Sequence, residues 1–378
     1  MSIPFSRPGV SDLELRYLTE CLQQAHLSGD GEFTKRCHAW LEAHYGATVL
    51  LTHSCTAALE MAAILAGIEA GDEVIMPSFT FVSTANAVAL RGGIPVFIDV
   101  DPLTLNLDPD RIDAAVTSRT KAIMPVHYAG VGCEMTSIMD RARSHGLMVI
   151  EDAAQGFLAT RGGRRLGTFG ALGCVSFHAT KNVVSGEGGA LIINDRELEA
   201  RAHIIREKGT NRTSFLRREV TKYEWLDIGS SYLPSDLIAA VLLAQLERAQ
   251  EITDKRRKLW SRYAEAFAPL EAEGRLRLTR VPQDADHNAH IFLLLMPTPE
   301  RAQAVMAALK ADGIGAASHY VPLHSAPAGR RFGRVSGTLA ETDQAAATMV
   351  RLPLFTDLDE AAQERIIART TAVLLDTV

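Results

Sequence analysis

Lys181 stands in the stretch Ser176-Phe177-His178-Ala179-Thr180-Lys181-Asn182. One short apolar run, Ala171 to Phe177, precedes it, and a glycine-rich turn after it opens another, Ala190 to Ile193. This spacing predicts a lysine on a loop between two strands. A lysine whose pKa is lowered by burial or by cationic neighbours captures carbonyl groups as Schiff bases, whether on substrates or on pyridoxal phosphate. A solvated surface lysine is the plain alternative.

Other residues of chemical interest sit at the ends of predicted strands. Asp152 follows Met148-Val149-Ile150 and precedes Ala153-Ala154-Gln155. A buried carboxylate stripped of its partner costs about 3–5 kcal/mol, so Asp152 either caps a helix or faces a cation such as a cofactor's ring nitrogen. Ser54-Cys55-Thr56-Ala57-Ala58 follows the β-branched run Ala47 to Leu51 and opens a helix reaching about Ala66, with Ser54 as its N-cap. A helix start of small residues attracts phosphate through its free N–H groups and dipole, although capping alone asks for the same residues. Phe79 and Phe81 lie just past the run Val74-Ile75-Met76, where α/β sheets place their ligands. Phe81 suits either stacking on a flat ring or the core. His127, after Ala122 to Val126, reads as a hydrogen-bonded structural histidine.

The elements that must position these residues alternate. Helical patterns cover Asp12 to Gln24, with Ser11 as cap, then Glu32 to Tyr45, Leu107 to Val116 and Ser137 to Arg143. Strand-like runs at 47–51, 74–76, 94–100, 122–126 and 147–150 separate them. Alternation of this kind predicts an α/β fold with a mostly parallel sheet covered by helices. Farther on come one long helix over 235–267, a strand at 290–296, a helix over 299–312, a strand-like 316–321 and a last helix from Glu360. A change of character near Thr253 places a boundary between a large domain, 1–252, and a small C-terminal α/β domain, 253–378.

Composition bounds the function. With 378 residues the chain exceeds the size at which one core keeps growing, so two domains are expected. Hydrophobic residues are 47% and charged residues 22%, as in ordinary globular proteins. A net charge of -6 argues against general nucleic-acid binding. The five cysteines are widely spaced and form no C-x-x-C pair, so they read as reduced thiols and no metal site is expected. No apolar run suits a signal or a membrane span, and a cytoplasmic location is the expectation.

Four ordered motifs together, Ser54-to-Leu59, Pro77-Ser78-Phe79-Thr80-Phe81, Glu151-to-Gln155 and Ser176-to-Asn182, resemble the sugar aminotransferases of the DegT/DnrJ/EryC1/StrS family. The resemblance runs essentially the full length. It implies the aspartate-aminotransferase fold (pyridoxal-phosphate fold type I), pyridoxal 5'-phosphate as cofactor and a homodimer with shared active sites. Lys181 would hold the cofactor and later move the proton, and Asp152 would pair with its ring nitrogen. Gln155 would bond the ring hydroxyl, and Phe81 would stack on the ring. Thr56, Ser176, Ser54 and the backbone at Cys55 and Ala57 would hold the phosphate. Many family members carry an asparagine that reaches a neighbouring subunit's phosphate; here Gly229-Ser230-Ser231-Tyr232-Leu233 stands instead, with Ser231 as a shorter substitute. Segments 127–130, 207–212, 227–233, 319–324 and 351–355 resemble the members that aminate a dTDP-linked 4-keto-6-deoxy sugar with L-glutamate, releasing 2-oxoglutarate. A 3-keto sugar, another nucleotide, or a cofactor-binding regulatory protein without catalysis are the alternatives.

Between Arg206 and Lys222, Arg206, Lys208, Arg212, Arg217, Arg218 and Lys222 face only Glu207 and Glu219. This basic stretch is either a solvated loop or the receiver of a sugar nucleotide's diphosphate, through Arg212 and Arg217 above all. His319 and His324 fall where a domain cleft would bring them to substrate, and each also suits a structural role.

Overall fold

Short runs rich in Val, Ile and Leu that are buried on both faces build a central sheet. The computed structural model describes residues 2–375. Its strands lie in the order Thr48–Thr52, Gly189–Ile193, Leu172–Ser176, Met148–Asp152, Thr120–Ile123, Glu73–Pro77, Ile94–Ile98 and Arg334–Val335. All are parallel except Gly189–Ile193, which runs against both neighbours. This agrees with the expected mostly parallel α/β sheet. Alternation along each strand feeds two layers: Leu50 joins the core around helix Cys55–Leu65, whereas Val49 and Leu51 pack under Asp12–Gln24, Glu32–Tyr45 and Asp236–Glu247. Cys55–Leu65 is apolar nearly all round because protein covers it on all sides.

A second core lies in the C-terminal part. The antiparallel strands Arg277–Leu278, Phe292–Leu295 and Met349–Leu352 pack on Ala249–Ala272, Pro299–Ala311 and Glu360–Leu375. Ile3, from the other end of the chain, completes that core and hydrogen-bonds Gly313 and Gly315. No helix among the described residues is long and apolar enough to cross a membrane.

Several expected elements change. The helix expected over 235–267 is two, Asp236–Glu247 and Ala249–Ala272, broken at Arg248, where φ is -109° and ψ 6°. The first must lie on the large sheet and the second reaches the C-terminal sheet through Tyr263 and Phe267, so the axis turns between the two cores. Leu107 to Val116 is a 3-10 turn, Pro109–Arg111, followed by one helical turn, Ile112–Ala115. Residues 316–321 form no strand; Ala317 alone bridges to Arg351. Helix Val82–Ala89, begun by Phe81, went unforeseen because its sequence, VSTANAVA, carries little amphipathic pattern.

Candidate active site

A cavity of about 440 Å³ opens at the C-terminal ends of the parallel strands, walled on its far side by the C-terminal part. Lys181, Asp152, Gln155, Phe81, Ser54, Cys55, Thr56, Ser176 and His319 all line it. Residues more than a hundred positions apart therefore meet because successive strands end at one edge.

The lysine loop is tied shut by its own backbone. Phe177 N–H donates to Gly188 O at 2.9 Å, Ala179 N–H to Gly186 O at 2.8 Å and Lys181 N–H to His178 O at 2.8 Å. The Lys181 amine has no hydrogen-bond or salt-bridge partner among the described residues. Burial lowers its pKa, Arg351 lowers it further, and Cys55 and Asp152 pull the other way. Asn182 next door donates from Nδ2 to Asn288 O at 2.7 Å, which orients its amide so that Oδ1 accepts from His290 Nδ1 at 3.0 Å. Burial chiefly, and then Lys181 and Arg256, push the His290 pKa well below the ordinary imidazole value.

Asp152 is buried at the end of its strand. Thr84 Oγ1 donates to Oδ2 at 2.8 Å and Ala154 N–H to Oδ1 at 3.1 Å. No cation pairs with it among the described residues, and burial pushes its carboxyl pKa up against those two donors. Gln155 Oε1 accepts from Ala129 N–H at 2.8 Å, and Nε2 donates to Tyr320 OH at 3.1 Å. Phe81 is 56% exposed, whereas Phe79, two residues earlier, is wholly buried. The core thus takes Phe79 and leaves Phe81 on the cavity wall, its ring 6.1 Å from Tyr320.

At the start of Cys55–Leu65, Ser54 Oγ accepts from Ala57 N–H at 3.1 Å, so that N–H is already engaged in capping. Thr56 Oγ1 lies 2.7 Å from Ser83 Oγ, and Ser176 Oγ accepts from His178 N–H at 3.4 Å. Strand Gly189–Ile193 presses on this helix start: a Cβ at Gly189 would stand 2.4 Å from Cys55 N, so only glycine fits. Hydroxyls and a helix N-terminus converge here as an anion cradle.

Other expected residues lie away from the cavity. Arg212 pairs with Glu207 at 3.1 Å, and Arg217 stands 4.0 Å from Glu219 on the surface. Ser231 is exposed, its backbone bridged to Glu207. His324 Nδ1 lies 2.8 Å from Ser78 Oγ, and its Nε2 is 3.3 Å from Asp343. Arg206, counted with the basic loop, is instead a core residue: it donates to Leu51 O and pairs with Asp30 at 2.8 Å. His127 is buried with Nε2 2.9 Å from Glu151, the structural role expected of it. Sequence reasoning missed Thr84, Ser83, Tyr320, His290, Arg256 and Arg351 as site residues. Arg351, a cation inside the apolar strand Met349–Leu352, carried a usable signal; Tyr320 and Ser83 did not.

This sheet order, with a lysine on the loop between Leu172–Ser176 and Gly189–Ile193 and a helix N-terminus with hydroxyls facing it, defines an aminotransferase of pyridoxal-phosphate fold type I. A profile of the DegT/DnrJ/EryC1/StrS aminotransferase family matches residues 10–371. GDP-perosamine synthase of Caulobacter vibrioides is 32% identical over 382 aligned positions, 99% of this chain and 98% of that protein. The aminotransferase TlmJ from Streptoalloteichus hindustanus superposes with a TM-score of 0.91 at 31% identity, covering 99% of each chain. The PLP form of the putative sugar aminotransferase Spr1654 from Streptococcus pneumoniae has the same fold, with a TM-score of 0.90 at 23% identity over 99% of each chain. The chain belongs to the DegT/DnrJ/EryC1/StrS aminotransferase family.

Proposed function

We propose that this chain transfers the amino group of L-glutamate to dTDP-4-keto-6-deoxy-D-glucose, giving dTDP-4-amino-4,6-dideoxy-D-galactose and 2-oxoglutarate, as a dTDP-4-amino-4,6-dideoxygalactose transaminase does. The enzyme is a pyridoxal-phosphate-dependent sugar aminotransferase. The observation that carries this reading is the meeting, in one cavity, of a lysine amine and a buried carboxylate that have, among the described residues, no partner and no cation respectively.

The residues present fit the cofactor. When bound, pyridoxal phosphate supplies an electron sink that stabilises negative charge on the carbon losing its proton. Lys181 would hold it through its amine and would then move the donor carbon's proton, for which a lowered pKa suits it. Asp152, fixed by Thr84 and Ala154, would pair with the ring nitrogen and keep it protonated. Gln155 would bond the ring hydroxyl and Phe81 would stack on the ring. Thr56 and Ser176 with the backbone at Cys55 would receive the phosphate, joined by Ser83, and Ser54 Oγ and Ala57 N–H would join them on exchanging their mutual capping bond for the anion. In this reading residues 1–252 form the cofactor-binding domain and 253–378 the small domain. The protein works as a homodimer in which Ser231 of a second copy reaches the phosphate. Arg212 and Arg217 take the sugar nucleotide's diphosphate, and His319 and His324 act on the sugar side.

The choice of sugar rests on the resembling segments at 207–212, 227–233 and 319–324. A different nucleotide is the second reading, favoured by the GDP in the name of the Caulobacter relative. Purified protein given L-glutamate and dTDP-4-keto-6-deoxy-D-glucose should yield the 4-amino sugar by mass spectrometry and NMR. Amination of only a GDP-linked or 3-keto sugar would replace the assignment.

A further inference from the structure

A second cavity, of about 860 Å³, lies at the opposite end of the central sheet from Lys181. Strand Thr48–Thr52 begins there and Gly189–Ile193 ends there: Thr48 pairs with Ile193, whereas Thr52 pairs with Gly189 on the side of the lysine loop. Tyr45, Arg164, Arg165, Asn194, Arg196 and Glu199 stand on its wall. Arg164 is held by Thr168, through Oγ1 at 3.3 Å and the carbonyl, with its guanidinium 4.7 Å from the Phe169 ring centre. The guanidinium groups of Arg165 and Arg196 make no hydrogen bond and no ion pair among the described residues, and no carboxylate pairs with Arg164. Three arginines therefore share one concave wall without an acid to neutralise them, although Glu42 and Glu199 line it too. Asn194 Nδ2 donates to Gly167 O at 3.0 Å and Gly170 O at 2.8 Å, which leaves its Oδ1 as an acceptor. Tyr45 is the independent observation. It is only 8% exposed, and its buried hydroxyl has no hydrogen-bond partner among the described residues. Burial raises the phenol's pKa, so the group stays a neutral donor. Buried polar groups are costly without a partner, and an orphan on a cavity wall points to something that meets it.

We propose that this cavity is a second ligand site, separate from the cofactor cavity, for a phosphate ester that carries hydroxyl groups. Arg165 and Arg196 take the phosphate oxygens, for which forked guanidinium groups are suited. The Tyr45 hydroxyl donates to the same anion and gains the acceptor it lacks. Glu199 and Asn194 Oδ1 accept from hydroxyls of the ligand, which inorganic phosphates do not offer, and the glutamate repels an anion of higher charge. The wall is thus built for an ester rather than for any anion. Its volume is that of a site for one small molecule.

Calorimetric titration of the holoenzyme with glucose 1-phosphate, ADP and inorganic diphosphate, at constant ionic strength in chloride, tests the site without turnover. At least one ester should bind with a lower Kd than diphosphate, and the tighter of the two tells a sugar phosphate from a nucleotide. Arg165→Gln and Arg196→Gln, both surface changes, should each raise that Kd about tenfold. The same variants should leave the KM for the sugar nucleotide within about twofold, because neither residue lines the cofactor cavity. Tyr45→Phe keeps the ring and removes the hydroxyl alone, and should raise the Kd about threefold or more. A hydroxyl that is merely buried would leave binding where it was. The proposal is overturned if neither ester binds, if diphosphate binds as tightly as both, or if the Kd is unchanged in both arginine variants or in Tyr45→Phe. A tenfold rise in sugar-nucleotide KM in the arginine variants would equally overturn it, since the arginines would then belong to the substrate site.

Discussion

At the residue scale the site is defined by groups left unsatisfied. Asp152 is the clearest, because its burial raises the carboxyl pKa above the ordinary 3.8. The sign follows: the folded state binds the proton more tightly than the unfolded one, so this group's contribution falls as pH rises through its folded pKa. Asp152→Asn removes that cost. The cofactor-free variant should be more stable than its parent, with a margin that grows from pH 4 to pH 8 in urea titrations, while turnover falls about 100-fold or more. A margin that shrinks with rising pH would contradict the assignment. Lys181→Ala should abolish both turnover and the visible band of bound cofactor; a yellow, fully active variant would refute its role. For Arg212→Ala and Arg217→Ala we expect a larger rise in KM for the sugar nucleotide than for glutamate, and equal effects on both would remove the loop from substrate binding.

At the scale of elements, two contacts decide whether the cavity keeps its shape. Gly189 lets strand Gly189–Ile193 lie against the first turn of Cys55–Leu65, and Gly189→Ala should cost about 1–3 kcal/mol by overpacking. Because the displaced turn carries Ser54 and Thr56, the same variant should also weaken cofactor retention on dialysis. The other contact is Glu73, whose side chain is fully buried while Arg334 and Arg119 reach it from the surface. Arg334, with help from Arg119 and Thr117, holds its pKa down at about 2. Stability from this group is therefore complete above the ordinary 4.5 and lost as pH falls toward 2. Glu73→Gln should lower stability by about 1–3 kcal/mol at pH 7 and flatten the acid limb of a stability–pH curve between 4.5 and 2. That pair fastens Arg334–Val335 to the sheet edge, and the segment before it carries His319 and Tyr320 into the cavity wall and His324 onto Ser78.

For the whole molecule the open question is what covers residues 212–228. Phe215, Leu216, Tyr223, Trp225 and Leu226 are all exposed there, Trp225 by 80%, beside Arg212 and Arg217. Exposed apolar side chains, when contiguous, suit an interaction surface, and Phe215 and Tyr223 are in contact with rings 6.1 Å apart. The proposed homodimer gives it a second copy to pack against, and would carry Ser231 toward a neighbouring phosphate cradle. Trp225→Glu should shift sedimentation from dimer toward monomer and reduce cofactor affinity together. A dimer unaffected by the charge places the interface elsewhere.

The sequence by itself determined the sheet class, the capped helix at Ser54, the strand-end placement of Asp152 and the interstrand loop of Lys181. Each depends on local chemistry: apolar runs too short for helices, a small-residue N-cap, a carboxylate or lysine beside a breaker. Only the tertiary structure decided which aromatic faces the cavity, since Phe79 and Phe81 share a motif and the packing around them buries the first and leaves the second exposed. It also took Arg206 out of the basic loop and into the core with Asp30. Tyr320, His290, Arg256 and Arg351 came to the site from elements distant in sequence. Their contribution depends on how the C-terminal part packs across the strand ends, a long-range placement that no local spacing encodes.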